Sequence, residues 1–312
     1  MKKIVGENKR SLIKNIGASV RARLLVIAKQ TNRDFNAVLM QYIQERFLYR
    51  LSVSSYNNAF ILKGALLLLA HRMSRLRPTK DIDFLGIEIS NDLDKIKNII
   101  TEIAQIESDD GVVFNTNNIR IEKITENANY DGVRLRLESE LNGARSVLQL
   151  DIGFGDKIVA GPIELEFPVL LDMPVPKLHV YSKESSIAEK FQALVKLNIF
   201  SSRMKDIYDI LFLAENEPFK FDTLQEAVIT TFTQRETVIE DRSGIFNEAF
   251  TEDKEKQSQW RAFLSRNRLG DDQNLKKVMN RLEVFLEPVC DLQTKSKNIV
   301  WDPTSWQWKQ KL

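Results

Sequence analysis

Two aspartates two positions apart, Asp81 and Asp83, lie in "RPTKDIDF" (residues 77–84), a run that otherwise reads as a β-strand. Residues two apart in a strand project from the same face, so the two acids stand together while Ile82 and Phe84 turn to the core. Carboxylates held side by side repel each other, and a divalent cation between them removes that cost. Oxygen-only ligands favour Mg²⁺, which in turn often carries a substrate phosphate. A lone DxD also suits a solvated strand end, so the neighbouring residues carry weight. Lys63-Gly64 precedes the apolar run "ALLLLA". A glycine opening a helix lets backbone N–H groups, those of Gly64 and Ala65, approach a phosphate, and a helix N-terminus favours negative charge; a simple tight turn is the alternative. Arg77 and Thr79, four and two residues before Asp81, supply a cation and a hydroxyl within reach of the same phosphate. Farther on, "VLQLDIGFG" carries one acid, Asp151, among apolar neighbours. An acid in a buried strand needs a partner, and a third carboxylate beside the pair would complete a metal-centred phosphoryl-transfer site.

Two downstream stretches carry further charge at helical spacing. In "SSIAEKFQALVKLN", Lys190 lies at the edge of the stripe formed by Ile187, Phe191, Leu194 and Val195. It is either a snorkelling lysine or a phosphate ligand. In "RMKDIYDI", Asp206 and Asp209 are three apart and share a helix face, although acids also belong in a helix's first turn.

The surrounding elements follow from periodicity. From Ser19 to Tyr49 apolar residues recur at helical spacing, with a break at Asn32–Asp34 and Asp34 as an N-cap. "FILKGALLLLAHRM" reads as a short extended segment, a glycine and a buried helix. "TKDIDFLGIEI" is a strand, and "NDLDKIKNIITEIAQI" is a helix with Leu93, Ile96, Ile99, Ile100 and Ile103 on one stripe. "VVFNTNNIRIEKI", "DGVRLRLESELN" and "RSVLQLDIGFG" alternate with period two between turn residues. From about Ser182 the chain is mostly helical, and Ser186 with Glu189 matches a capping box. The order of elements predicts an α+β fold with a mixed sheet. It divides the chain into an N-terminal helical segment (1–50), a core (51–180) and a C-terminal helical domain (181–312).

Composition narrows the function without naming it. The 312 residues carry 45 Lys and Arg against 43 Asp and Glu, a net charge of +2, so any nucleic-acid surface must be a local patch. One cysteine, Cys290, excludes an internal disulfide and reads as a buried thiol. With only two histidines as well, a zinc site of the usual ligands is disfavoured. "MKKIVGENKR" has no apolar core of a signal peptide, and the longest apolar run is far shorter than the roughly 20 residues that span a bilayer. A cytoplasmic location is the expectation. Three of the four tryptophans fall in "WDPTSWQWKQKL", where Trp301, Trp306 and Trp308 with Lys309 and Lys311 suit either base stacking or, the favoured reading, a packed C-terminal anchor.

Glycine, helix, DxD strand and a distant strand acid together resemble the polymerase-β-like nucleotidyltransferase superfamily. More narrowly, "RLLVIAKQTNRDF", "ERFLYRLSVS", "FILKGALLLL" and "RPTKDIDFLG", followed by "LQLDIGFGD", "SIAEKFQALV" and "SRMKDIYDI", resemble the AbiEii/AbiGii-type nucleotidyltransferase toxins. The likeness runs in order from about residue 20 to residue 215. It implies a polymerase-β-like core with a mixed sheet, flanked by N-terminal helices and a C-terminal helical domain. It implies that Gly64 is the first-motif glycine, that Asp81 and Asp83 bind metal, and that Asp151 is the second-motif acid. Lys190 would bind the triphosphate, with Arg203 bracing it. Asp206, with Asp209 second, would act as general base or metal organiser. Ala65 and Leu66 stand where many relatives have a second glycine or a serine, so a hydroxyl contact is missing there.

The activity implied is Mg²⁺-dependent attack of an acceptor hydroxyl on the α-phosphate of an NTP, releasing pyrophosphate. RNA is the implied acceptor, with tRNA leading. The setting implied is a bacterial toxin–antitoxin or phage-defence system with a co-encoded antitoxin. Two alternatives remain: transfer of a nucleotide or phosphate to a protein hydroxyl, and an inactive relative that binds RNA or antitoxin.

Overall fold

The computed structural model describes residues 15–70, 79–126, 130–269, 274–291 and 298–311. Helices α1 (Ile16–Gln30) and α2 (Phe35–Ser52) open the chain. The Asp34 carboxylate accepts the Ala37 N–H at 3.1 Å, so the cap expected from sequence starts α2. Next come β1 (Phe60–Lys63), α3 (Ala65–Ala70), β2 (Asp81–Gly86) and α4 (Leu93–Ala104). Five more strands follow: β3 (Val112–Glu126), β4 (Tyr130–Leu141), β5 (Ala144–Phe154), β6 (Ile163–Glu166) and β7 (Lys177–Val180). The β4–β5 connection is the dipeptide Asn142-Gly143, both at positive φ (45° and 79°), the backbone that a two-residue hairpin turn requires.

The seven strands form one mixed sheet in the order β3-β4-β5-β2-β1-β7-β6. β2 runs parallel to β5, and β1 parallel to β7, while the remaining neighbours are antiparallel. Register decides what each face carries. Val133, Ile152, Phe84 and Leu62 are cross-strand partners in one row, all buried, in a core shared with α1, α2 and α4. One residue along, on the opposite face, the partners are Arg134, Asp151, Asp83 and Lys63.

The rest of the chain is helical up to its end. It comprises α5 (Lys183–Leu197), α6 (Met204–Asn216), α7 (Phe221–Gln234), the single turns α8 (Ser243–Phe246) and α9 (Glu248–Thr251), α10 (Lys254–Asn267) and α11 (Leu275–Cys290). These helices enclose a second apolar core. The expected capping box at Ser186 and Glu189 does not form. α5 starts four residues earlier, capped by Ser182, whose hydroxyl accepts the Ser185 N–H at 3.1 Å. This leaves Ser186 inside the helix and turns Glu189 to Tyr181, Lys63 and Arg235. Cys290 is buried, and burial pushes its thiol up to about 12, as suits a packing residue.

The tryptophan-rich end is a hairpin, β8 (Ile299–Asp302) and β9 (Gln307–Gln310). Trp301 is buried, its indole N–H donates to the Ala214 carbonyl at 2.8 Å, and its ring lies 4.7 Å from that of Phe285. Trp308 stacks on Phe285 and its N–H donates to that residue's carbonyl at 3.0 Å. The tail is therefore an anchor on α6 and α11, as the packing alternative expects. Trp301→Ala removes this contact from the second core and is expected to destabilise the fold by about 3–5 kcal/mol, read as a lowered urea midpoint.

Candidate active site

The polar row of the sheet opens into a cleft of about 230 Å³ between the sheet and helices α5 and α6. At its floor, one carboxylate oxygen from each of Asp81, Asp83 and Asp151 lies within 4.8 Å of the others. Parallel pairing of β2 with β5 sets Asp83 opposite Asp151, and the period of two brings Asp81 to the same face. The backbone of Gly64 passes beside Asp83 at φ 70°, and a Cβ built there would overlap the Asp83 carboxylate. Glycine is thus required both for its conformation and for close approach. α3 begins at the next residue, Ala65, which also lines the cleft.

Asp81 and Asp151 are each oriented by a neighbour. The Thr79 hydroxyl donates to Asp81 Oδ1, so its reach is toward the acid rather than outward. Arg134 Nε and Nη2 donate to Asp151 Oδ1 and Oδ2 at 2.8 and 2.7 Å, and the Gln149 amide adds a contact to Oδ2 at 3.3 Å. Each carboxylate oxygen has two acceptor sites, so Oδ1 of Asp151 keeps one for a metal. Three hard oxygen donors converging at the floor of the cleft fit Mg²⁺ by ligand chemistry.

Across the cleft, Lys190 Nζ donates to Asp206 Oδ1 at 3.2 Å and to Asp209 Oδ2 at 2.8 Å. Arg203 Nε also donates to Asp206. Burial alone would raise the Asp206 carboxyl, but Lys190 and Arg203 outweigh it and hold Asp206 below the usual carboxylate range. Lys63 faces the Tyr181 ring and pairs with Asp156 at 3.1 Å and Glu189 at 3.6 Å. Arg235 pairs with the same two acids at 2.9 and 3.3 Å. Among the residues singled out from sequence, Lys63, Gly64, Ala65, Asp81, Asp83, Asp151, Lys190, Arg203 and Asp206 line the cleft. Asp209 lies behind Lys190, fully buried, and Arg77 lies outside the described residues.

Arg134, Tyr181, Glu189, Lys205 and Arg235 also line the cleft and were not foreseen as site residues. Arg134 had one faint sequence signal: it shares a strand face with Arg136, opposite Val133 and Leu135. The cross-strand register that makes it the neighbour of Asp151 is not in the local sequence. Asp156 follows "GFG" just after β5, and its partners come from afar: Lys63 on β1 and Arg235 from the end of α7.

A model of the family "Nucleotidyl transferase AbiEii toxin, Type IV TA system" matches residues 46–287, more than half of the chain and all of the cleft. The chain belongs to this family. Within it, the matched segment carries the glycine, all three floor acids and the Lys190–Asp206–Asp209 cluster. A crystal structure of a candidate nucleotidyltransferase from Helicobacter pylori superposes with a TM-score of 0.50 at 16% identity, covering 82% of this chain and 95% of that one. JHP933 from the same organism has a TM-score of 0.49 at 17% identity, covering 82% and 92%. At 16% identity the first of these speaks for the fold alone: a nucleotidyltransferase core with a mixed sheet and flanking helices. No curated protein matches the chain. No helix among the described residues is long and apolar enough to cross a membrane.

Two outcomes follow from the geometry. Removing the Lys190 ammonium leaves Asp206 and Asp209 buried with a lost partner, so Lys190→Met is expected to cost about 3–5 kcal/mol in urea unfolding. Asp206 carries a lowered folded pKa, so its stabilising contribution is present above the ordinary value of 3.8 and is lost as pH falls through the lower folded value. Asp206→Asn removes that contribution, and the stabilities of variant and wild type are expected to converge as the medium is acidified below the ordinary carboxylate range.

Proposed function

We propose that this chain transfers a nucleotidyl group from an NTP to an RNA hydroxyl, with tRNA the leading acceptor. In this reading it is the toxin of an antitoxin-restrained pair with a role in phage defence. The observation that carries the proposal is the convergence of Asp81, Asp83 and Asp151 at the floor of a cleft rimmed by Lys63, Lys190, Arg203 and Lys205. Three acids without a cation between them would repel, and an open cleft rimmed by ammonium and guanidinium groups suits a triphosphate.

In this reading Asp81, Asp83 and Asp151 hold Mg²⁺, which when bound supplies charge stabilisation to the reacting phosphates. Gly64 keeps the backbone close to Asp83 and leaves the N–H at the start of α3 open to a phosphate oxygen. Lys190 and Arg203 act on the triphosphate from the opposite wall. Their partners Asp206 and Asp209 fix where those cations sit. An acid held ionised by two cations is a weak proton acceptor, so the geometry favours the organising role for Asp206 over the general-base role. The acceptor hydroxyl loses its proton to solvent water as its oxygen attacks the α-phosphorus, the bond to the β-phosphate oxygen breaks, and pyrophosphate leaves with the electron pair. Arg134 offsets the negative charge of Asp151 and keeps its carboxylate aimed at the site.

The test is incubation of purified protein with each labelled NTP, Mg²⁺ and total RNA. Wild type is expected to label RNA, and Asp81→Ala to reduce labelling by about a hundredfold or more. Label on protein with none on RNA would move the acceptor to a protein hydroxyl. No labelling of either, together with no NTP binding in the presence of Mg²⁺, would overturn the proposal. Binding is read separately from activity: Mg²⁺ is expected to raise the melting temperature of wild type and not that of a Asp83→Asn, Asp151→Asn double variant.

A further inference from the structure

The connection between α5 and α6, "NIFSSR" (residues 198–203), holds the ring of Phe200 in water. Phe200 is 90% exposed, more than any other large apolar side chain among the described residues. The exposure does not come from a loose loop. Asn198 adopts φ 43° and ψ −130°, the backbone that glycine favours at the first central position of a type II′ turn. Its side chain packs against Gly244 so closely that a Cβ there would overlap it. On the other side of Phe200, the Ser201 carbonyl accepts the buried Lys256 ammonium at 2.7 Å, and the Ser201 hydroxyl accepts the Arg203 N–H at 3.2 Å. A strained residue and a buried lysine thus fix the turn on both sides of an aromatic ring that touches no core. Strain held in place by its surroundings points to a function for what it displays.

The position of the turn indicates what it would meet. Residues 202–206 form a ridge: Arg203, Lys205 and Asp206 line the cleft, whereas Ser202 and Met204 line a second depression with Gln259 and Arg266. No acid lines that depression among the described residues. Lys196, Lys205 and Arg266 are all exposed, and none has an ion-pair partner among the described residues. An exposed aromatic ring on a connection flanked in sequence by Lys196 and Lys205, with Arg266 lining the same depression as Ser202, beside a cleft that a chain end must enter, matches the chemistry of single-stranded nucleic acid: bases stack while phosphates are neutralised.

We infer that Phe200 is a stacking platform for the unpaired end of the RNA acceptor, with Lys196, Lys205 and Arg266 neutralising its phosphates as the strand crosses the ridge into the cleft. The inference rests on the RNA-acceptor reading above and adds to it the requirement for an unpaired end. A duplex cannot offer a base face to Phe200 without opening first.

The experiment is equilibrium binding of a short fluorescent single-stranded RNA, and of a blunt duplex of the same sequence, to full-length protein. NTP binding and thermal melting are measured in parallel. Wild type is expected to prefer the single strand. Phe200→Ala is expected to weaken that binding about tenfold with melting and NTP binding unchanged, Phe200→Trp to restore it, and Phe200→Leu to leave it weak. Lys196→Gln and Lys205→Gln are each expected to lower the salt dependence of binding by about 0.7 in logarithmic slope. Equal binding by Phe200→Ala and wild type, or full rescue by Phe200→Leu, would overturn the stacking role while leaving the RNA-acceptor reading intact. Failure of wild type to bind either RNA even at low salt would overturn that reading itself.

Discussion

Three carboxylates brought together on one sheet face are the constraint around which the molecule is arranged. Two unit charges about 4–5 Å apart repel by about 3–4 kcal/mol at the effective dielectric of a protein surface, and Asp81, Asp83 and Asp151 form three such pairs. That face of the sheet cannot be sealed by an apolar helix. Its row partners are cations, Arg134 beside Asp151 and Lys63 beside Asp83, and the helices facing it present Lys190 and Arg203. The opposite face, one residue out of phase, is free to be wholly apolar and to pack on α2 and α4. One chain therefore builds two cores separated by a charged cleft.

The two parts are tied together at that same cleft. Lys63 from β1, Asp156 from the end of β5, Glu189 from α5 and Arg235 from the end of α7 form a buried arrangement of two cations and two acids. Burial alone would raise the Asp156 carboxyl, but Lys63 and Arg235 outweigh it and hold it below its ordinary value, so Asp156 stays ionised. A fully paired buried network specifies one arrangement of its elements more than it adds stability. Here it fixes how α5, and with it Lys190, stands over the acids.

The same geometry separates what the fold supplies from what the side chains supply. The sheet and its flanking helices are shared with the candidate nucleotidyltransferase from Helicobacter pylori at 16% identity. The residues proposed to carry the chemistry, the glycine beside Asp83, the three acids and the cations across from them, all lie within the segment that matches the AbiEii family. Family membership and side-chain geometry are independent lines that meet at this cleft.

Much of this was legible in the sequence because it is local. Alternation in "KDIDFLG" fixes which side of β2 carries the acids, Asp34 caps its own helix, and Gly64 before an apolar run marks a close turn. The apolar stripes of α4 and α5 follow from a period of 3.6 residues. What failed locally is also instructive. Ser186 and Glu189 have capping-box spacing, yet Ser182 starts the helix, because Glu189 gains more from Tyr181, Lys63 and Arg235 than from its own backbone. Nothing local gives the partners of Arg134, Asp156 and Arg235, which are 17 to 93 residues away in sequence. The sequence alone determined which residues can bear charge chemistry and which face of each element they occupy, since both depend on neighbours a few positions off. Only the tertiary structure decided which charges meet, because strand register and helix docking set distances that no local spacing encodes.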